Sequence, residues 1–335
     1  MHIFDIHGDI WTDAAVHRAK GDRHIVREKH LERFRAGGMA GGVFIAWVDP
    51  PFDKEGTRDR FWEIIRAMSA ELWENRDLLT VVHSAKEFEQ TANEGKLGIV
   101  PGVEGLSAID DTEDWIYVLD RLGVQLASLT WNEQNAVATG VRGEADRGLT
   151  DFGRRVLRRM EDVGMLVDVS HLNDKSFWDV AEASTKPFIA SHSNVRAIRD
   201  VPRNLSDDQI RLIGEKNGLI GINAFHEFVH ENPEKRTLDT LVDHLVHMAD
   251  LIGPERLALG FDFFEYVDEG SASTFTTEAY VGTQGLEDIS KAKELVETLR
   301  RRGFSEKEVE GICWRNFFRV LECSFYASVE RNCVS

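Results

Sequence analysis

Short apolar runs alternate with longer amphipathic segments along most of this chain. Each run has the length of a buried strand, and several intervening segments repeat apolar residues at the three-four spacing of one helix face. The runs predict eight strands, at Ile3–Ile6, Gly42–Val48, Gly98–Val103, Gln125–Leu129, Leu166–Val169, Phe188–Ala190, Leu219–Ile222 and Leu257–Gly260. Strands that alternate with helices in this way indicate an α/β protein with a parallel sheet.

The segments between the runs carry several helix signals. Helices are predicted at Phe61–Trp73, Thr150–Val163, Gln209–Lys216 and Leu238–Leu251. Ser206 and Gln209 form the capping-box pattern that opens the third of these helices. Gly253-Pro254 is a typical end for the fourth. The chain from Ser290 onward predicts two or three further helices.

Eight strands alternating with helices over about 260 residues predict a (β/α)8 TIM barrel. An open doubly wound sheet is the alternative, and such a sheet usually carries a glycine-rich phosphate loop after its first strand. No GxGxxG follows the first predicted strand, and none elsewhere precedes a helix. The chain also lacks internal repeats and Pro/Ser-rich linkers. We therefore predict one (β/α)8 domain over residues 1–335, with extra C-terminal helices.

The charge balance and the cysteines indicate which binding partners and which cellular compartment to expect. The 58 acidic residues outnumber the 40 basic ones, and this net charge of −18 argues against nucleic acid, whose phosphates require Lys and Arg. No apolar run reaches the roughly 20 residues of a membrane span, and no signal-peptide pattern opens the chain. Cys313, Cys323 and Cys333 show no CxxC spacing. We predict reduced thiols, a cytoplasmic location and no membrane partner.

Side chains of metal-ligand type follow five of the predicted strands. His7 and Asp9 lie two residues apart, so on an extended strand their side chains point to the same face and can reach one divalent ion. The ends of later strands carry Glu104, His171, His192 and Asp262. Because the carboxyl ends of barrel strands meet at one end of the barrel, this pattern predicts a two-metal hydrolase site there.

Each of these residues taken alone also has a structural explanation. A buried histidine can be satisfied by hydrogen bonds, and an acid after a strand often caps a turn or a helix. The combination favours ligands: Glu104, between two glycines, has two oxygens free to bridge two ions, and Asp262 can accept the proton of an activated water. Arg203 suits a substrate carboxylate through its planar fork, although a surface ion pair explains it equally well.

Other histidines and tryptophans carry a weaker signal. His244 and His247 lie one turn apart on an amphipathic helix without an HExxH pattern, and we expect them on a solvated face. Core or helix-packing positions are expected for Trp47, Trp62, Trp73 and Trp178.

Seven segments in order along nearly the whole chain resemble the renal (membrane) dipeptidase family, metallopeptidases of the amidohydrolase superfamily. The matching segments are Asp5–Asp9, His30–Gly42, Gly102–Gly105, Asp168–His171, Ser191–Asn194, Pro202–Asp207 and Asn316–Val320. The resemblance implies a (β/α)8 fold with a binuclear site for two Zn²⁺ ions, although His and carboxylate ligands also suit other divalent transition metals.

The resemblance also implies which residues hold the two ions. His7, Asp9 and Glu104 would bind one ion, and Glu104 would bridge to a second ion that His171 and His192 complete. A hydroxide that bridges the two ions would attack the peptide carbonyl of a dipeptide.

Further roles follow from the same resemblance. Asp262 would accept the proton of the attacking water and pass it to the leaving amine. Arg203 would bind the C-terminal carboxylate of the dipeptide. Family members often accept a D-residue at the second position and are often homodimers, so we expect both properties here.

Two segments depart from the family pattern. Family members commonly have Leu-Thr-His after the fourth strand, where the histidine contacts the substrate, and this chain has Leu129-Thr130-Trp131. The Trp131 indole donates one hydrogen bond but carries no positive charge. After Asp262, Phe264 and Glu265 replace the usual acidic and glycine residues.

These departures leave three functions open. The first is a zinc dipeptidase in which Trp131 contacts the substrate. The second is a related metal-dependent hydrolase that acts on another amide, an ester or a lactone. The third is a non-catalytic metal-binding barrel, which the presence of Asp262 disfavours because a structural metal site needs no base.

Overall fold

The fold was analysed in a computed structural model that describes residues 1–52, 55–267, 269–273, 276 and 282–326. Its strands are β1 (Ile3–Gly8), β2 (Met39–Trp47), β3 (Leu79–Val81), β4 (Leu97–Glu104), β5 (Leu126–Ser128), β6 (Leu166–Asp168), β7 (Ile189–Ala190), β8 (Leu219–Ile222) and β9 (Leu257–Leu259). All eight predicted strands are present, with bounds within three residues of the predicted ones. The sequence analysis did not predict β3.

Eight of the strands form a closed parallel barrel. Each strand from β4 to β8 pairs with the next one in the chain, β9 pairs with β1, β1 with β2, and β2 with β4. The short β3 pairs in parallel with the first residues of β4. The (β/α)8 prediction is therefore confirmed.

Helices cover the outside of the barrel. They are α1 (Ile10–Ala19), α2 (Leu31–Gly37), α3 (Thr57–Glu74), α4 (Ala85–Asn93), α5 (Trp115–Arg121), α6 (Asp151–Val163), α7 (Asp174–Ala183), α8 (Asp207–Glu215), α9 (His226–Val229), α10 (Leu238–Ile252), α11 (Glu269–Ala272), α12 (Ala292–Arg301), α13 (Glu306–Glu310) and α14 (Asn316–Tyr326). The four predicted helices correspond to α3, α6, α8 and α10. Ser206 and Gln209 form the predicted capping box at the start of α8.

The extra C-terminal helices pack against the start of the barrel through aromatic rings. Phe4, which is fully buried near the beginning of β1, contacts the rings of Phe317 and Phe318 in α14 at centroid distances of 5.3 and 4.9 Å. It also meets Phe88 of α4 edge to face at 5.0 Å. Because aromatic side chains bury large areas, this cluster fixes α14 to the barrel.

Phe4→Ala should lower the free energy of unfolding by about 3–5 kcal/mol, since it leaves a cavity among rings that cannot close over it. The control is Phe52→Ala, at a side chain that is 39% exposed, and its effect should stay within about 0.5 kcal/mol. Chemical denaturation at 25 °C measures both changes. Equal midpoints for the two variants would contradict this role of the cluster.

Several expectations about single residues are corrected or limited by the structure. His244 is buried rather than solvated, because its Nδ1 accepts the N–H of Val195 and its Nε2 lies 2.8 Å from the carbonyl of Val229. Trp73 and Trp178 are exposed, so their expected core positions are wrong.

The thiols and the membrane prediction can be checked in part. Cys313 is a buried free thiol, and burial raises its pKa to about 12. Cys323 is half-buried. Cys333 lies outside the described residues. Among the helices of the described ranges, none combines the length and the apolar character required to cross a bilayer.

Candidate metal centre and substrate cavity

The predicted site residues meet at the carboxyl end of the barrel. His7 lies in β1 and Asp9 directly after it, while Glu104 is the last residue of β4. The loops after β6, β7 and β9 carry His171, His192 and Asp262, and the loops after β5 and β7 carry Trp131 and Arg203. These eight residues, which are scattered over the sequence, therefore face one region. The strand-end pattern predicted this convergence for the six of them that are of metal-ligand type.

One carboxylate oxygen of Glu104 lies at the centre of the cluster. Glu104 Oε1 is 2.8 Å from His171 Nε2 and 3.4 Å from the Nε2 atoms of both His7 and His192. The Nε2 atoms of His171 and His192 are themselves 2.9 Å apart. All four side chains are buried, so water cannot screen these contacts.

The opposite ring nitrogens fix the tautomers of the histidines. Ser191 Oγ is 2.5 Å from Asp168 Oδ2, a carboxylate oxygen that can only accept, so the serine proton is donated there. Ser191 Oγ can then only accept from the Nδ1–H groups of His7 and His192, at 3.1 and 2.6 Å. Each of these two histidines therefore carries its proton on Nδ1.

His171 follows the same pattern through another partner. Its Nδ1 lies 2.9 Å from the side-chain oxygen of Asn132, which accepts the proton. The Nε2 atoms of His171 and His192 are thus two lone pairs that face each other, with Glu104 Oε1 as a third. Lone pairs at such distances repel unless a cation lies among them, so the donor set fits a metal ion.

A second group of donors adjoins the first. His7, Asp9 and Asp262 each place one ligand atom within 4.8 Å of the others, and His7, Glu104 and His192 do the same. Asp9 Oδ1, Glu104 Oε1 and His7 Nε2 are buried and have no hydrogen-bond partner among the described residues. Two adjacent donor groups with unused buried atoms fit two divalent cations.

The acids and histidines of the cluster shift one another's pKa. Burial alone would lower the pKa of His7, but Glu104, Asp262 and Asp9 outweigh it and raise the pKa to about 10. Burial and the nearby Glu104 raise the pKa of Asp9, and burial raises that of Asp262 to about 6. The pocket thus concentrates negative charge that a proton or a metal cation can balance.

Two ligand-type residues have an unusual backbone. His171 and Asp262 have φ of 71° and 57°, a conformation that is uncommon for residues other than glycine. Such a conformation costs about 1–3 kcal/mol and persists where the surroundings enforce it, most often at functional sites. Both side chains are thereby turned from the strand ends towards the cluster.

Besides Asn132, three further residues that hold the site in place were missed by sequence reasoning. Asn223 donates from Nδ2 to Asp262 Oδ2 at 3.0 Å, and the Tyr266 hydroxyl accepts the N–H of Asp9 at 3.0 Å. Asp168 Oδ1 accepts the backbone N–H of Ser191. Asn223 and Asp168 stand at strand ends, so the rule that found the ligand candidates could have found them. Tyr266 lies in a loop and gave no signal.

A cavity of about 290 Å³ opens above the cluster, and Asp9, Glu104, His171 and Asp262 line it. Arg203 and Trp131, the two predicted substrate-binding residues, also line this cavity. Arg203 is buried, donates from Nη2 to the carbonyl of His192 at 3.3 Å, and stacks over the Phe228 ring at 5.5 Å. Its Nε has no hydrogen-bond partner among the described residues, and burial lowers its pKa.

The closed barrel and the donors at its carboxyl end define an amidohydrolase-like barrel. Within that class, the chain belongs to the membrane dipeptidase family, peptidase family M19, whose sequence profile matches residues 1–331. The predicted family is therefore confirmed, and so is a hydrolase that acts on peptide bonds. Metal ions are a property of this metallopeptidase class.

Individual relatives agree with the family assignment. Dipeptidase tcpJ of Claviceps purpurea is 30% identical over 330 residues, which cover 96% of this chain and 74% of the relative. A metallo peptidase from Rhodobacter sphaeroides, solved with a phosphinate mimic of the dipeptide L-Ala-D-Ala, has a TM-score of 0.83, 25% identity, and coverage of 97% and 99% of the two chains. Dipeptidase AC, an M19 metallo peptidase, has the same TM-score and coverage with 26% identity.

Proposed function

We propose that this protein is a dipeptidase that uses two Zn²⁺ ions at the buried cluster. The observation that carries the proposal is the convergence of three imidazole Nε2 atoms on one oxygen of Glu104. The Nε2 atoms of His171 and His192 carry no proton, so neither can donate a hydrogen bond to the other or to that oxygen. His7, Asp9 and Glu104 would hold one ion, and Glu104, His171 and His192 the other. His and carboxylate ligands of this kind suit zinc.

Zn²⁺ ions at this place supply Lewis acidity, which polarises a carbonyl oxygen and lowers the pKa of water. The protein side chains do the rest. Asp262 lines the cavity with its Oδ1 4.0 Å from His7 Nε2, within reach of a water that attacks a carbonyl held there. It accepts the proton of that water and returns it to the amine that leaves.

Arg203 positions the substrate. A buried guanidinium that is not neutralised is unfavourable, and a carboxylate that enters the cavity can restore both charge balance and hydrogen bonds. The C-terminal carboxylate of a dipeptide meets this requirement. The relative from Rhodobacter sphaeroides binds a mimic of L-Ala-D-Ala, which supports a D-residue at the C-terminal position here too.

Ser191→Ala should weaken metal binding by about 10–100-fold, because the hydroxyl orients the imidazoles of His7 and His192. The control is Ser193→Ala, at a neighbouring buried serine whose hydroxyl has no partner among the described residues. Titration of metal-free protein with Zn²⁺ against a competing chelator measures both affinities. Equal zinc affinities for the two variants would contradict the role of Ser191.

The related hydrolase of another amide, ester or lactone remains the second candidate. Trp131, which lines the cavity 6.3 Å from the His171 ring, favours it because the indole provides no positive charge for a developing oxyanion. A panel of L,L- and L,D-dipeptides, N-acyl amino acids, esters and lactones separates the two. Cleavage of dipeptides above all others supports the proposal, and cleavage confined to the other classes would contradict it.

A further inference from the structure

Three phenylalanine rings form a continuous row along the substrate cavity. Phe225 is the middle ring, with centroid distances of 4.7 Å to Phe228 and 5.1 Å to Phe264. All three line the cavity, and we call them the phenylalanine row. They come from two separate segments, the start of α9 and the loop after β9, so the row is a product of the fold rather than of local sequence.

One end of the row adjoins the residue that we assign to the substrate carboxylate. The guanidinium of Arg203 lies 5.5 Å from the centre of the Phe228 ring. Val201 and Pro202 line the cavity beside Arg203 and add apolar surface. A group bound at Arg203 therefore has aromatic and aliphatic surface next to it.

A second aromatic pair serves a different part of the cavity. The rings of Trp47 and Trp131 are 5.4 Å apart, and Trp131 is the ring near His171. The tryptophan pair thus lies by the metal cluster, whereas the phenylalanine row leads away from Arg203. The two ends of a dipeptide would meet these two surfaces separately.

We propose that the phenylalanine row binds the side chain of the C-terminal residue and selects large apolar side chains, aromatic ones above all. The inference rests on the proposed function, since Arg203 must hold the C-terminal carboxylate. That carboxylate and the side chain share one Cα atom, so the side chain lies within a few ångströms of Arg203. Ring stacking and burial of apolar area there favour phenylalanine over alanine.

The same surroundings disfavour acidic side chains at the C-terminal position of the substrate. The rings provide no hydrogen-bond donors for a carboxylate, and burying an unpaired charge is costly. Glu227, whose side chain also lines the cavity, adds repulsion. Aspartate and glutamate at the C-terminal position should therefore be the poorest substrates.

The test measures kcat/KM of the zinc-loaded enzyme for Ala-Ala, Ala-Phe, Ala-Asp and Phe-Ala, with the C-terminal residue in the configuration cleaved best. Ala-Phe should exceed Ala-Ala by about tenfold or more, Ala-Asp should fall below Ala-Ala, and Phe-Ala should gain less than Ala-Phe. Equal values for Ala-Phe and Ala-Ala would overturn the inference alone. If none of the four dipeptides is cleaved, the proposed function is contradicted as well.

Variants of the middle ring assign the preference to the row. Phe225→Ala should reduce the ratio of kcat/KM for Ala-Phe over Ala-Ala to about threefold or less, and Phe225→Leu, which keeps most of the apolar volume, should give an intermediate ratio. The control is Phe152→Ala in α6, outside the cavity lining, and its ratio should equal that of the wild type. An unchanged ratio in both Phe225 variants would overturn the assignment.

Discussion

The Asp262→Asn variant should keep both metal ions, and its kcat should fall by about 10²–10⁴-fold, which is the usual contribution of a general base. Asparagine has nearly the same shape and tolerates the positive φ of 57° at this position, so the backbone should not move. The amide cannot accept the proton of the attacking water. The loss should therefore appear in kcat, with little change in stability.

Metal analysis on the same sample decides between two roles of Asp262. Its carboxylate also belongs to a donor group with His7 and Asp9, so a ligand role would show as a loss of about one metal ion per chain. Asp208→Asn, at a side chain that is 82% exposed, is the matched control and should behave as the wild type. Full turnover of Asp262→Asn with normal metal content would contradict the base assignment.

Arg203→Ala should raise KM for free dipeptides by about 10–100-fold, because it removes a charge-assisted hydrogen-bonded pair with the substrate carboxylate. The corresponding dipeptide amides lack the carboxylate, so their KM should change far less. Arg203→Lys retains the charge without the planar fork and should give an intermediate KM for free dipeptides.

Steady-state kinetics on a dipeptide and its amide, with wild type and both variants, provides the comparison. Arg203 also donates to the carbonyl of His192, so metal content must be measured for each variant. An equal rise in KM for the free and the amidated substrate would show a general disturbance of the site instead of a carboxylate clamp.

The barrel was predictable because its strands are short apolar runs that differ clearly from the longer amphipathic segments between them. The eight runs, the capping box at Ser206 and the stop at Gly253-Pro254 all correspond to observed elements. Local patterns could not show that β2 pairs with β4, which leaves β3 as a ninth strand beside the start of β4. Such pairing depends on packing between distant segments.

The candidate site was also predictable from the sequence only in part. Its six residues of metal-ligand type were found because such residues at strand ends must converge in a parallel barrel. Arg203 was singled out by its planar guanidinium, and Trp131 only by the comparison with the family pattern. Two of the supports, Asn132 and Tyr266, could not be found, because they lie in loops, have no spacing that marks them and act through contacts over long sequence distances. The buried position of His244 was missed for the same reason, since its partners Val195 and Val229 lie in other segments of the chain.

Several predictions extend beyond what the fold and the family establish. The roles of the eight site residues, the two Zn²⁺ ions and the D-residue preference are proposals that the experiments above address. The homodimer and the cytoplasmic location stay predictions. Size-exclusion chromatography with light scattering measures the first directly.

The most direct test of the central claim is the removal and return of metal on one sample. Purified protein is stripped with a chelator and titrated with Zn²⁺, while bound zinc and hydrolysis of L,L- and L,D-dipeptides are measured at each step. We predict no turnover without metal, and turnover that reaches its maximum at two zinc ions per chain. Turnover by the metal-free protein, or two bound ions without cleavage of any dipeptide, would contradict a binuclear zinc dipeptidase.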